Sequence, residues 1–129
     1  MIVVDTSAIV AMLLNEVDAP LYGDILVVAG ATRMSTVTDY ELRVVLGQYG
    51  AAMIQRYDAL ICEIGIVLVD FDKSQSILSY DAYRLWGKGN HPARLNLGDC
   101  AAYALAKSLD APLLFKGNDF ARTDIRRAL

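Results

Sequence analysis

A chain of 129 residues has the length of one domain and can bury a core without disulfide or metal staples. Its net charge of −3 argues against a protein that coats nucleic acid by bulk electrostatics, yet is compatible with a carboxylate-rich nuclease centre that cations neutralise locally. The apolar fraction of 55% exceeds the usual range for a soluble domain and points to an interface with a second copy or an obligate partner as well as to a core.

The first element is "MIVV", read as a buried strand at 1–4, followed by a helix over 6–15. Asp5 stands between them. As a helix N-cap it needs no further role; as a carboxylate at the end of a parallel strand it stands where α/β sheets bind ligands. A second helix is expected over 18–29, a short strand "RMS" at 33–35, and helices over 36–48 and 51–64. "GIVLVD" (65–70) reads as a third buried strand and 73–87 as a helix. The irregular "GKGNHPARLN" (87–96) leads into an alanine-rich helix over 97–109, with Leu97, Ala101, Ala104, Leu105 and Ser108 near one face. "APLLF" (111–115) is the fourth strand. Apolar strands alternating with helices predict a single α/β domain over 1–129, a three-layer α/β/α sandwich around a small, mostly parallel sheet of about four to five strands.

Cys62 and Cys100 are far apart in helical segments, so neither a disulfide framework nor a CxxC motif is expected and a reducing cytoplasm fits. The apolar stretches "ILVVAGA" and "IGIVLV" fall short of the roughly 20 residues of a membrane helix, and no basic leader precedes them. No membrane association is expected.

Three further carboxylates accompany Asp5. Glu41 in "STVTDYELRVVL" completes a capping box if Thr38 is the N-cap, but lies deeper in the helix if that helix starts at Ser35 or Thr36. Asp99 in "ARLNLGDCAAYALA" pairs with Asn96 as a capping box, and its apolar neighbours Leu97, Cys100, Ala101 and Ala102 make an ionised side chain there call for a partner or a cation. Asp119 in "LLFKGNDF" follows the last strand and doubles as a turn residue. Strands end and helices begin at one edge of a parallel sheet, so all four acids are expected together. Carboxylates that close cannot all remain ionised unless a cation shares the site. An all-oxygen donor set suits Mg²⁺ or Mn²⁺ and not zinc; His91 is the only histidine. The chemistry that follows is metal-assisted hydrolysis of a phosphodiester.

In this order, "VVDTSAI", "YELRVVL", "LNLGDCAAYALA" and "LLFKGNDF" resemble the PIN-domain ribonucleases, and within them the VapC-type toxins of bacterial toxin–antitoxin pairs. The resemblance spans essentially the whole chain. It implies an Mg²⁺- or Mn²⁺-dependent endoribonuclease with Asp5, Glu41, Asp99 and Asp119 as metal ligands, an RNA substrate, a cognate antitoxin and a homodimer. Thr6, Ser7 and Asn118 are candidates for orienting the acids. Asn118 stands where many relatives carry another acid, and Asp124 in "GNDFARTD" belongs to the same ending but reads as a turn or cap. Candidate RNA contacts are Lys88, His91 and Arg94, with Trp86 beside them, and Arg43 and Lys116.

Two other enzyme classes also open with a strand ending in aspartate. A haloacid-dehalogenase-like phosphatase needs a second Asp where Ser7 stands, and a receiver domain needs a paired acid after strand one, with only Asp70 and Asp72 after strand three in its favour. The non-enzymatic alternative is a binding module that acts through its partner, using the apolar helices "IVAMLL", "LYGDILVVAG" and "LRVVL" as a groove.

Overall fold

The computed structural model describes residues 1–129. In chain order it contains β1 (Ile2–Val4), α1 (Thr6–Leu13), α2 (Ala19–Ala29), β2 (Thr32–Ser35), α3 (Thr36–Gly47), α4 (Ala51–Ile64), β3 (Val67–Val69), α5 (Lys73–Trp86), α6 (Leu97–Ser108) and β4 (Leu113–Leu114). The four strands form one sheet in the order β3-β2-β1-β4, and every pairing is parallel. β1 is central, with Val3 opposite Arg33 on one side and Leu113 on the other. Near the chain end Leu113 also bridges to Arg127, which covers part of the β4 edge.

Strand periodicity sorts the core into two layers. Ile2, Val4 and Leu114 face α1–α4, where they pack with Ile9, Leu13, Tyr22, Leu26, Leu42, Leu46 and Tyr57. Val3, Leu113 and Phe115 face the other way, onto Leu95, Cys100, Ala102, Tyr103, Leu105 and Ala106. Alanines let α6 lie close against its neighbours, and the helix is buried continuously from Asp99 to Ala106. Its pattern is therefore broader than the single apolar face that the sequence suggests, and Leu97, assigned to that face, is 77% exposed.

Other differences are local. "GIVLVD" is an edge strand, not a buried one: β3 pairs only with β2, and Val67 and Leu68 are exposed. The first helix stops at Leu13, two residues short of the expected end, and Asn15 turns the chain with φ 52°. The α3 cap is Ser35, whose hydroxyl accepts from Val37 N at 3.1 Å, so the Thr38–Glu41 capping box does not form and Glu41 lies inside the helix. No helix is long and apolar enough to cross a membrane.

Candidate active site

The carboxyl edge of the sheet carries Asp5, Ser35 and the residues after Leu114, and α3 and α6 enter that edge with Glu41 and Asp99. Asp5 is the N-cap of α1, and its Oδ2 accepts from Ser7 N at 3.0 Å and from Ser7 Oγ at 2.6 Å. Ser7 Oγ in turn accepts from Lys116 N at 2.9 Å, so one hydroxyl ties the end of β1 to the segment after β4. Thr6 donates its hydroxyl to Glu41 Oε1, bringing the α3 carboxylate back to the start of α1. The hydroxyls of Thr6 and Ser7 thus orient two acids from adjacent positions.

Asp99 sits in a complete capping box. Its Oδ2 accepts from Asn96 N at 3.0 Å while Asn96 Oδ1 accepts from Asp99 N at 2.8 Å. The residue before it is decisive for Glu41: a Cβ on Gly98 would stand 2.5 Å from Glu41 Oε2, so only glycine admits the carboxylate against the start of α6. Asp119 and Asn118 lie exposed on the turn after β4, which Gly117 opens with φ 93°.

Capping does not account for the electrostatics. Asp5 is 4% exposed and Asp99 9%, and burial raises the carboxyl of Asp5 to about 6, with Glu41 adding to the effect and the Ser7 hydrogen bonds opposing it. Asp99 is pushed up to about 7, first by burial and then by the charges of Asp5, Asp119 and Glu41, against the Asn96 hydrogen bond. All three other acids act on Asp99, so the four form one electrostatic unit. None of them takes part in a salt bridge, whereas Glu16, Asp18, Asp39, Asp58, Asp110 and Asp124 all do. The salt-bridged bases Arg43, Lys107, Lys116 and Arg126 are all directed to other acids, and the most buried carboxylates are left unpaired.

No three His, Cys, Asp or Glu side chains are gathered closely enough to hold an ion among themselves. The acids nevertheless suit a hard divalent cation. Their donors are all oxygen, and Mg²⁺ characteristically keeps several waters and takes only one or two carboxylates directly. A cation there would also offset the burial that drives Asp5 and Asp99 toward the protonated form.

The structure separates the expected RNA contacts. Lys88 and Arg94 line a cavity whose wall includes Asp119. Arg43 does not reach the acidic edge; it pairs along α3 with Asp39 at 3.3 Å and joins α3 to α4 through Asp58 at 2.9 Å. Lys116 points away as well, to Glu16 and to Asp18 at 3.5 Å, because its backbone, not its ammonium, faces Ser7. His91 is held within its own loop, with Nδ1 accepting from Ala93 N at 2.9 Å and the ring edge-on to Trp86 at 4.8 Å. Trp86 is half-buried and donates Nε1–H to Tyr103 Oη at 3.1 Å. Asp124 is neither a turn residue alone nor part of the acidic edge: it accepts from the Tyr103 hydroxyl and from Lys107 at 3.1 Å. Sequence reasoning missed Gly98 and Arg122, which lines the same cavity as Lys88, Arg94 and Asp119; the signals were a glycine immediately before Asp99 within its motif and a base three residues after Asp119.

A PIN domain family model matches residues 2–126 of the chain. The chain belongs to the PIN-domain family. Within it, this PIN domain is 44% identical over 129 residues to Ribonuclease VapC28 of Mycobacterium tuberculosis, covering 98% of the chain and 97% of that protein. Ribonuclease VapC42 of the same species is 42% identical over 128 residues, covering 98% of each. Relatives at this level over full length place the chain among the VapC ribonucleases. Two solved structures share the fold: Mycobacterium tuberculosis VapC20, described as a sarcin–ricin loop cleaving toxin (TM-score 0.75, 13% identity, 97% of this chain and 96% of that one), and a toxin–antitoxin complex from Klebsiella pneumoniae (TM-score 0.72, 16% identity, 96% and 93%).

Proposed function

We infer that this PIN domain is a metal-dependent endoribonuclease toxin that hydrolyses RNA phosphodiester bonds and is neutralised by a cognate antitoxin. The observation that carries the reading is the set of coupled, unpaired carboxylates at the sheet edge, two of them buried. Asp5, Glu41, Asp99 and Asp119 are its proposed metal-holding set for Mg²⁺ or Mn²⁺, one or two of them directly and the others through the ion's waters. A cation held there supplies an activated water and charge neutralisation at the phosphoryl oxygen. The protein supplies position: Ser7 and Asn96 N hold Asp5 and Asp99, Thr6 holds Glu41, and Gly98 leaves room for that carboxylate. Asp119 and Asn118 lie on the exposed turn, where they meet the substrate side of the site.

Two surfaces support the partners. A shallow groove of about 300 Å³ between α1, α2 and α4, lined by Met12, Leu13, Ala19, Ala59 and Leu60 with Arg56 and Glu63, suits an amphipathic antitoxin segment. On the far side, exposed Phe71, Tyr80 and Leu97 edge an apolar cavity of about 660 Å³ and offer a surface for a second copy, consistent with a homodimer. The free thiols Cys62 and Cys100 fit a cytoplasmic protein.

The test is cleavage of a mixed cellular RNA pool by the purified chain with Mg²⁺, Mn²⁺ or EDTA, beside Asp5→Asn and Asp99→Asn. Discrete fragments that require the metal and vanish in both variants are expected. Folded, antitoxin-free protein that leaves every RNA intact under all three conditions overturns the catalytic reading in favour of a binding module.

A further inference from the structure

The chain has twelve Lys and Arg side chains. Eight are engaged within the molecule: Arg43, Lys107, Lys116 and Arg126 in salt bridges, Arg33 and Arg56 on backbone carbonyls, Arg84 and Arg127 over aromatic rings. The remaining four are Lys73, Lys88, Arg94 and Arg122. Three of these, Lys88, Arg94 and Arg122, line a single cavity of about 660 Å³ together with Asn96, Asn118 and Asp119. In an acidic chain, free cations concentrated on one polar cavity call for an anion from outside. Asp119 on the wall joins that cavity to the acidic edge.

Both walls are held by backbone hydrogen bonds. On the loop side, Lys88 N donates to Leu95 O at 2.9 Å and Leu95 N to Trp86 O at 3.0 Å. Arg94 adopts φ 56°, a left-handed conformation uncommon for a residue with a side chain, and its N–H donates to His91 O at 3.0 Å. On the opposite side Ala121 N donates to Asn118 O at 3.1 Å, and Phe120 anchors the turn against Phe115 at a ring separation of 5.0 Å. The cations therefore project from supported backbone, which reduces the ordering needed on binding.

We propose that this cavity is a nucleotide subsite that seats the RNA nucleotide next to the scissile phosphate on the Asp119 side. Lys88, Arg94 and Arg122 take its phosphate oxygens, and the Asn118 amide takes a base or sugar edge. The cavity volume lies in the range that accommodates small ligands, and guanidinium forks match phosphate geometry. The assignment rests on the ribonuclease reading and adds Arg122 to it as a substrate-binding residue.

Binding of a short, labelled single-stranded RNA of mixed sequence is to be measured against salt concentration, using the full chain carrying Asp99→Asn with Mg²⁺ present. Each phosphate contact contributes about 0.7 to the slope of log affinity against log salt for single strands. Arg94→Gln and Arg122→Gln are each expected to reduce that slope by about 0.7, while Lys73→Gln, which removes the fourth free cation, leaves it unchanged. Slopes for the two arginine variants equal to that of Lys73→Gln, or no measurable binding, overturn the subsite. Cleavage by the unsubstituted chain keeps the two readings apart. Metal-dependent cutting with unchanged slopes removes the subsite alone, and no cutting under any condition removes the ribonuclease reading beneath it.

Discussion

Two aspartates beside the same helix have opposite fates. Asp99, in the first turn of α6, is buried and unpaired, and its carboxyl is pushed up to about 7 by burial and by Asp5, Asp119 and Glu41. Asp124 lies against the other half of α6, half-exposed, and its carboxyl is held below the usual range by the Tyr103 hydroxyl and Lys107. The second is a structural acid whose charge the fold satisfies. The first carries a charge that the fold leaves for something else to satisfy, and that contrast separates a candidate ligand from a tether better than motif position does, since both residues belong to motifs of the same family.

The sharpest way to break the contrast is to neutralise each acid in turn. Asp5→Asn and Asp99→Asn are expected to lower RNA cleavage on the order of 10²- to 10³-fold, the scale on which removal of one preorganised electrostatic group acts, whereas Asp124→Asn stays within a few-fold of the unsubstituted chain. Single-turnover rates on one cleavable RNA measure this. Equal losses at Asp99 and Asp124 refute the distinction.

Stability against pH should divide the two acids by sign. For Asp99 the folded carboxyl at about 7 lies above its ordinary 3.8, so the unfolded chain loses its proton first. Stability is then full below about pH 4 and falls as pH rises toward 7, at up to about 1.4 kcal/mol per pH unit. Asp5, raised to about 6, acts in the same direction. Asp124 is lowered, so its contribution is present at neutral pH and is lost as pH falls below the ordinary carboxylate range. In EDTA, urea melts should show Asp99→Asn more stable than the unsubstituted chain at pH 8 by on the order of 2 kcal/mol, with no such gain at pH 4. Added Mg²⁺ at pH 8 should stabilise the unsubstituted chain and do so less for Asp99→Asn. A flat profile between pH 4 and 7 counts against the burial argument.

Gly98→Ala examines how Glu41 reaches the site. The new methyl would stand 2.5 Å from Glu41 Oε2 and so drives the carboxylate off its Thr6 contact. About a tenfold loss of cleavage is expected, with folding little affected because alanine favours the helix that it enters by up to about 1 kcal/mol. Full activity would show that Glu41 is not needed in that position.

The smallest effect is reserved for the tether. Tyr103→Phe removes the donor to Asp124 and the acceptor for Trp86 Nε1, which link α6 to the end of α5 and to the chain end. A loss of about 1 kcal/mol in unfolding free energy is expected, with RNA cleavage within a few-fold of the unsubstituted chain.

Much of the fold was legible because its determinants are local. The Asp5 cap and the Asn96–Asp99 box act within a few residues, and alternation in Ile2, Val3 and Val4 assigns side chains to the two layers directly. The placement of the acids at the strand ends and helix starts of one edge also followed, since parallel strands release their helices on the same side, but no three of their side chains gather closely enough to hold an ion among themselves. Three expectations failed where the competing partners were remote in sequence. Arg43 was free to approach Glu41 until α4 brought Asp58 beside it, Lys116 until the α1–α2 connection supplied Glu16 and Asp18, and β3 read as buried because its composition does not record that it stands at the edge of the sheet.

The sequence by itself determined which carboxylates stand at strand ends and helix starts, because hydrogen bonds of a few residues' span and the period of each element dictate those positions. Only the tertiary structure decided which charges are left over. Pairing depends on which side chains the packing brings within reach, and packing placed partners on Arg43, Lys116 and Asp124 while leaving Asp5, Asp99, Arg94 and Arg122 without them.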